Sequence, residues 1–303
     1  MSELSAIVER LERALGPSAG APVPLEGGIT NRNYRLVFGG RDCVVRVHGK
    51  DTSLLGINRE AERIAARAAA NLGIGPAVMA EDEECLVTEY VSGAANEPAR
   101  VRATPAPVAR ALRAFHECGA QLPVRFWVPD LLEAYAQIVT ARGGRLPREY
   151  AAAQALTGRI AQVLPLTKPV CCHDDLLPGN VMSTGSDGGV ILVDWEYAGM
   201  GHRLFDLGNL AVNCDFDEEA ETRLLGAYFG EAPDAGLVAA LRLMRLMSDA
   251  REAAWGVVQG VLSELDFDFE AYATAHFERL ERATGGGRFE QWLQAASAEA
   301  RLA

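Results

Sequence analysis

The chain has 303 residues, 49% of them hydrophobic and 23% charged, an ordinary globular balance that can bury one large core or two modest ones. Its formal net charge of −12 excludes the basic face that a nucleic-acid partner requires. No uncharged apolar run reaches the roughly 18 residues of a membrane span, and the six cysteines form no CxxC pair or metal-ligand spacing, so they read as buried thiols of a reducing, cytoplasmic compartment.

Residues 1–16, MSELSAIVERLERALG, carry charges throughout and predict an amphipathic helix, not a signal peptide. Two β-rich runs at residues 34–38 and 43–47 flank Gly39-Gly40-Arg41-Asp42, a hairpin signal. A helix is predicted over residues 58–72, ended by Gly73. Residues 77–80, an acidic turn at 81–84 and the strand CLVTEYV complete a small antiparallel sheet. The Ala-, Pro- and Gly-rich stretch 93–107 marks a change of region and divides the chain into residues 1–92 and 93–303. Beyond it, helical spacing covers residues 108–118, 131–141, 150–164, 218–229, 237–264 and 269–283, interrupted by a short strand pair within 170–182 and 190–194. The expected class is α+β, with a small β-rich N-lobe and a larger, mainly helical C-lobe.

The chemistry concentrates in CCHDDLLPGNVM, residues 171–182, and GGVILVDWEYAG, residues 188–199. Phosphoryl transfer needs a carboxylate to orient and deprotonate the attacking hydroxyl, and oxygen ligands to hold magnesium on the phosphates. His173, Asp175 and Asn180 have the spacing HxDxxxxN, which puts a carboxylate and an amide in one loop. The run VILVD delivers Asp194 at the end of a buried strand. Asp175 as base, with Asn180 and Asp194 as metal ligands, makes a complete set, and His173 reads as a hydrogen-bonding brace. Upstream, Gly27 and Gly28 precede a β-rich run whose backbone amides could approach triphosphate oxygens. Arg46 lies in the next strand. Glu60 and Glu62 lie on different faces of the following helix, so only one of them can hold Arg46 in place.

Together these segments resemble the protein-kinase-like superfamily, and within it the choline/ethanolamine kinase and aminoglycoside phosphotransferase branch, over nearly the whole chain. The resemblance implies a two-lobed protein-kinase-like fold that uses ATP and Mg2+. Gly27-Gly28-Ile29-Thr30-Asn31 is similar to that branch's phosphate loop, and residues 86–91, with Glu89 and Val91, to the hinge strand that meets adenine. Residues 173–180 resemble its catalytic loop and Asp194-Trp195-Glu196-Tyr197 its metal-binding strand end. RLFDLGN, residues 203–209, resembles a segment of choline kinases in which Asp206 braces the catalytic loop. Two positions depart: Arg46 stands where much of the superfamily has Lys, and Asp174 where this branch often has Asn.

The run DAREAAWGVVQGVLSELDFDFEAYATAHFERL, residues 249–280, also resembles choline kinases. Trp255 and Tyr272, with Glu252 one helical turn before Trp255, could form an aromatic cage for a quaternary ammonium, which has no N–H to donate. Glu196 and Tyr197 are further candidate acceptor contacts. A small-molecule amino-alcohol is thus the expected partner, with choline first. The alternatives are ethanolamine, an aminoglycoside, another small phosphate acceptor, or a silent nucleotide-binding pseudokinase. The sequence leaves the oligomeric state and the metal count open. No activation segment of the protein-kinase type follows DWE.

Overall fold

A computed structural model describes residues 3–25, 30–184 and 189–299. Helix α1 (Glu3–Leu15) turns Ile7, Leu11 and Leu15, spaced one helical turn apart, onto a five-stranded antiparallel sheet. The sheet contains β1 (Ser18–Leu25), β2 (Arg32–Phe38), β3 (Arg41–Val47), β4 (Val78–Glu81) and β5 (Cys85–Glu89), in the spatial order β1-β2-β3-β5-β4. The expected hairpin joins β2 and β3, with Gly39 and Gly40 both at positive φ and Phe38 paired to Arg41. In β3 the residues alternate, so Cys43, Val45 and Val47 face the small core while Val44 and Arg46 face the other way. Strand β1 was not foreseen. Its sequence SAGAPVPL reads as coil, and its two prolines are tolerated because it is an exposed edge strand.

Helix α2 (Arg59–Asn71) begins where the Asn58 side chain accepts from the Ala61 amide. Its buried face carries Ala61, Ala65, Ala66 and Ala69, and between them the fully buried Glu62. The C-lobe follows with β6 (Ala94–Ala95), α3 (Pro98–Ala103), α4 (Ala106–His116), α5 (Val128–Ala141) and α6 (Arg148–Val163). Next come β7 (Val170–Cys172), β8 (Val181–Thr184), β9 (Gly189–Leu192) and β10 (Gly199–Gly201), which form a two-stranded sheet β10-β7 and a three-stranded sheet β6-β8-β9. Helices α7 (Arg203–Asn213), α8 (Glu218–Phe229), α9 (Ala235–Leu262), α10 (Phe269–Thr284) and α11 (Arg288–Glu299) complete it.

The 28-residue α9 is the axis of this lobe, packed by α5, α7, α10 and α11. Helices α7 and α11 lie outside the helical spans expected from the sequence. Helix α7 crosses α9 so closely that a Cβ at Gly208 would lie 2.7 Å from the Met244 carbonyl carbon. The mixed α+β, two-lobed expectation holds, but the large core does not stop at residue 92. It takes in Leu55, Ile57, Leu86 and the alanine face of α2, whereas α1 and the inner sheet face form a separate small core. Among the described residues no helix is long and apolar enough to cross a membrane.

Candidate active site

The loop between β7 and β8 is held from below by α7. Asp206, fully buried, accepts hydrogen bonds from the His173 and Asp174 amides at 2.8 Å each and from His116 Nε2 at 2.9 Å. Burial alone would raise its pKa, but the hydrogen bonds from His116 and from the His173 amide hold it below the usual carboxylate range. Asn209 Oδ1 accepts from the Leu176 amide. His173 donates from Nε2 to the Val193 carbonyl at 3.0 Å, and its ring centroid lies 4.5 Å from that of Trp195. Burial lowers its pKa, so it stays a neutral brace.

Asp175 projects from this loop, almost buried, and its Oδ1 accepts from Arg251 Nη1 at 3.1 Å. Burial pushes its pKa up to about 7; Arg251 pulls it down, while Glu252 and Asp194 push it further up. Asn180 ties its amide nitrogen to the Asp175 carbonyl at 2.8 Å, which leaves its Oδ1 as the atom with lone pairs to offer. Asp194 was expected to end a strand. Strand β9 instead stops at Leu192, and Asp194 sits two residues later in a left-handed conformation, φ 69°. Asn180 and Asp194 line one cavity of about 610 Å³ together with Val44, Arg46, Glu89, Tyr90 and Val91. Two hard oxygen donors of this kind suit a magnesium ion.

Across the cleft, Arg46 Nη1 donates to Asp194 Oδ1 and, at 3.2 Å, to Glu62 Oε1. Glu62 is therefore the partner of Arg46, while Glu60 turns outward to Arg63. Arg59 extends the tie, donating to Glu62 Oε2 at 2.7 Å, to Asn31 Oδ1 at 2.9 Å and to Glu196 Oε2 at 3.5 Å. Asn31 Nδ2 closes it on Glu196 Oε2 at 2.6 Å. Burial, with Asp194 beside it, pushes the Glu196 pKa up to about 8, against the pull of Arg46 and Arg59. Glu196 thus belongs to the tie between the lobes and not to the aromatic group around Tyr197. Thr30 presses its carbonyl against Gly49, where a Cβ would lie 2.0 Å from it. Gly27 and Gly28 lie outside the described residues.

On the far side of Asp175 the residues expected to form an acceptor cage do meet, but packed into one another. Trp255 Nε1 donates to the Tyr197 hydroxyl at 2.8 Å, and the Trp255 and Tyr272 rings stand edge to face with centroids 5.5 Å apart. The Tyr272 hydroxyl donates to Glu252 Oε2 at 2.7 Å. One member was missed altogether: Arg251, 2% exposed, places its guanidinium carbon 4.3 Å over the Tyr197 ring and donates to Glu252 Oε1 at 2.6 Å. An arginine one residue before Glu252 was the available signal.

Asp174 is the other buried acid of the loop, at φ 64° and with both carboxylate oxygens lacking a hydrogen-bond partner among the described residues. Burial, with Asp206 beside it, pushes its pKa well above the ordinary range, and Arg251 offsets this only in part. The folded chain therefore keeps a proton here that the unfolded chain releases above about pH 3.9, so stability falls as pH rises beyond that point. Asp174→Asn keeps the shape without the titration. It should raise the melting temperature at neutral pH, by about 2–4 °C per kcal/mol recovered, and thermal melts should show the gap closing as pH drops toward about 4. A gap that does not vary with pH would refute this.

Known proteins of this shape point the same way. A sequence profile described as "Phosphotransferase enzyme family" matches residues 22–246. A solved structure of a choline/ethanolamine kinase family protein from Mesorhizobium loti is 30% identical and superposes with a TM-score of 0.79, covering 92% of this chain and 93% of its own. A probable ethanolamine kinase of Arabidopsis thaliana is 26% identical over 294 residues, 85% of this chain and 78% of that protein. Choline kinase LicA from Streptococcus pneumoniae, 21% identical, shares the fold with a TM-score of 0.76 over 93% of this chain and 99% of its own. A profile that spans most of both lobes, joined to a loop and cleft built as described, places the chain in the phosphotransferase enzyme family.

Proposed function

We propose that the protein transfers the γ-phosphoryl group of ATP to the hydroxyl of a small amino-alcohol, with Mg2+ in the cleft. The observation that carries this reading is the 610 Å³ cavity, with Glu89, Tyr90 and Val91 and also Arg46, Asn180 and Asp194 in its wall, and Asp175 hydrogen-bonded behind Asn180. Glu89 to Val91 would border the base and Arg46 would face the phosphates. Asn180 Oδ1 and the Asp194 carboxylate would hold the magnesium ion, which neutralises phosphate charge when bound. Asp175 takes the hydroxyl proton as the acceptor oxygen forms its bond to the γ-phosphorus and the bond to ADP breaks.

The acceptor side supports an amine that carries N–H groups over a quaternary ammonium. Glu252 is buried close to Asp175, whereas the faces of Tyr197 and Trp255 are engaged by Arg251 and by neighbouring rings. Ethanolamine-type acceptors are thereby favoured over choline-type ones. All six cysteines are free thiols, which supports the reading of a reducing, cytoplasmic compartment.

The test is ATP turnover by the purified protein with ethanolamine, choline and a kanamycin-type aminoglycoside, with and without a chelator of magnesium. Turnover on an amino-alcohol that stops on chelation is expected. Nucleotide binding with no turnover on any acceptor would sink the reading.

A further inference from the structure

The guanidinium of Arg251 is only half used. Both protons of Nη1 are committed, one to Asp175 Oδ1 and one to Glu252 Oε1. Its Nε and Nη2 are buried and have no hydrogen-bond partner among the described residues. These two nitrogens share one edge of the planar group, so their N–H bonds run side by side as a fork that fits the two oxygens of a carboxylate. An unpaired buried donor is costly, and a charged one more so. Here a whole edge, two donors wide, is left unpaired beside the proposed base.

The neighbours of Arg251 say which group belongs on that edge. Arg251 donates to Asp175 and Glu252 and covers the Tyr197 ring, while Asp194 is held by Arg46. The phosphates of a nucleotide in the 610 Å³ cavity would lie with Asn180 and Asp194. The guanidinium also covers the Tyr197 face, the place where a quaternary ammonium would otherwise rest.

We propose that the free Nε/Nη2 edge of Arg251 binds a carboxylate carried by the acceptor, so that the acceptor is an amino-alcohol bearing an acid group and not a bare amino-alcohol. The amine faces Glu252, the carboxylate faces Arg251, and the hydroxyl reaches Asp175. This rests on the phosphotransferase reading above and narrows its acceptor.

Matched acceptors that differ only in the carboxylate test it. Initial rates are measured with ethanolamine and L-serine, with L-homoserine as a longer-armed pair and choline as the quaternary case, on the parent, Arg251→Gln and Arg251→Lys. In the parent, kcat/KM for a carboxylate-bearing acceptor should exceed that for ethanolamine by about tenfold or more, the discrimination expected when a charged group loses its buried partner. In both variants that ratio should collapse toward one, with most of the change in KM. Arg251→Lys keeps the charge and lacks the fork, so it serves if Arg251→Gln does not fold. Ethanolamine or choline turned over as well as the acids by the parent would overturn the inference and leave the phosphotransferase reading standing. An equal fall in kcat on every acceptor, with the ratio intact, would assign the edge to the phosphoryl group in transit and also overturn it. No turnover on any acceptor would remove both.

Discussion

Asp175→Asn is expected to lower kcat by about 10²–10⁴-fold, the range that a positioned general base contributes. The substitution keeps the shape of the side chain and its hydrogen bond from Arg251, so the loop should hold its place. What disappears is the lone pair basic enough to take a proton from the hydroxyl. Nucleotide affinity should stay close to that of the parent, because in the cavity wall Asn180 is held by the Asp175 backbone carbonyl and Asp194 by Arg46, neither by the Asp175 carboxylate. Single-turnover kinetics with nucleotide binding by calorimetry separate the two quantities. A variant that keeps more than about a tenth of parental kcat would leave Asp175 without the role of base.

The second large effect is on stability. Asp206→Ala removes the acceptor of three buried donors at once: the His173 amide, the Asp174 amide and His116 Nε2. Each stranded donor costs about 1–3 kcal/mol in an interior without water, so a loss of about 3–9 kcal/mol is expected out of a total stability of about 5–15 kcal/mol. Urea unfolding monitored by tryptophan fluorescence measures it, and the Trp195 ring packs at a tilt against His173, close to the site of the change. Asp206→Asn retains one acceptor oxygen and should lose less. An alanine variant within about 1 kcal/mol of the parent would mean that water or a shifted loop replaces the brace.

How much of this was legible in the sequence depended on distance along the chain. The loop proposed as catalytic is contiguous, so HxDxxxxN could be read directly, and the helical spans of α8, α9 and α10 were visible from spacing alone. The partner of Arg46 reduced to a choice between two helix faces, which the burial of Glu62 resolved. Arg251 was invisible for the opposite reason. Nothing local distinguishes DAREAAW from a charged surface turn of helix, and its burial arises only because α9 passes under Asp175, 76 positions away. Glu196 was displaced from its expected company in the same way, since Asn31 and Arg59 that claim it come from the other lobe. Strand β1 escaped because an exposed edge needs no apolar alternation to be paired.

The tie across the cleft joins Asn31, Arg46, Arg59 and Glu62 of one lobe to Asp194 and Glu196 of the other. Charges in such a network attract strongly while they are dry, yet each regains its hydration when the surfaces part, so the work of separation is far smaller than the closed geometry suggests. Behind the tie, Leu86 and the alanine face of α2 share one continuous apolar core with the C-lobe, and that contact has no such compensation. The tie therefore behaves as a dowel more than as glue: it tells the two halves where to meet and scarcely resists their parting. For the proposed exchange of ATP for ADP, the mouth of the cleft gains registration from this tie with little adhesion of its own, while α2 stays anchored through the shared core.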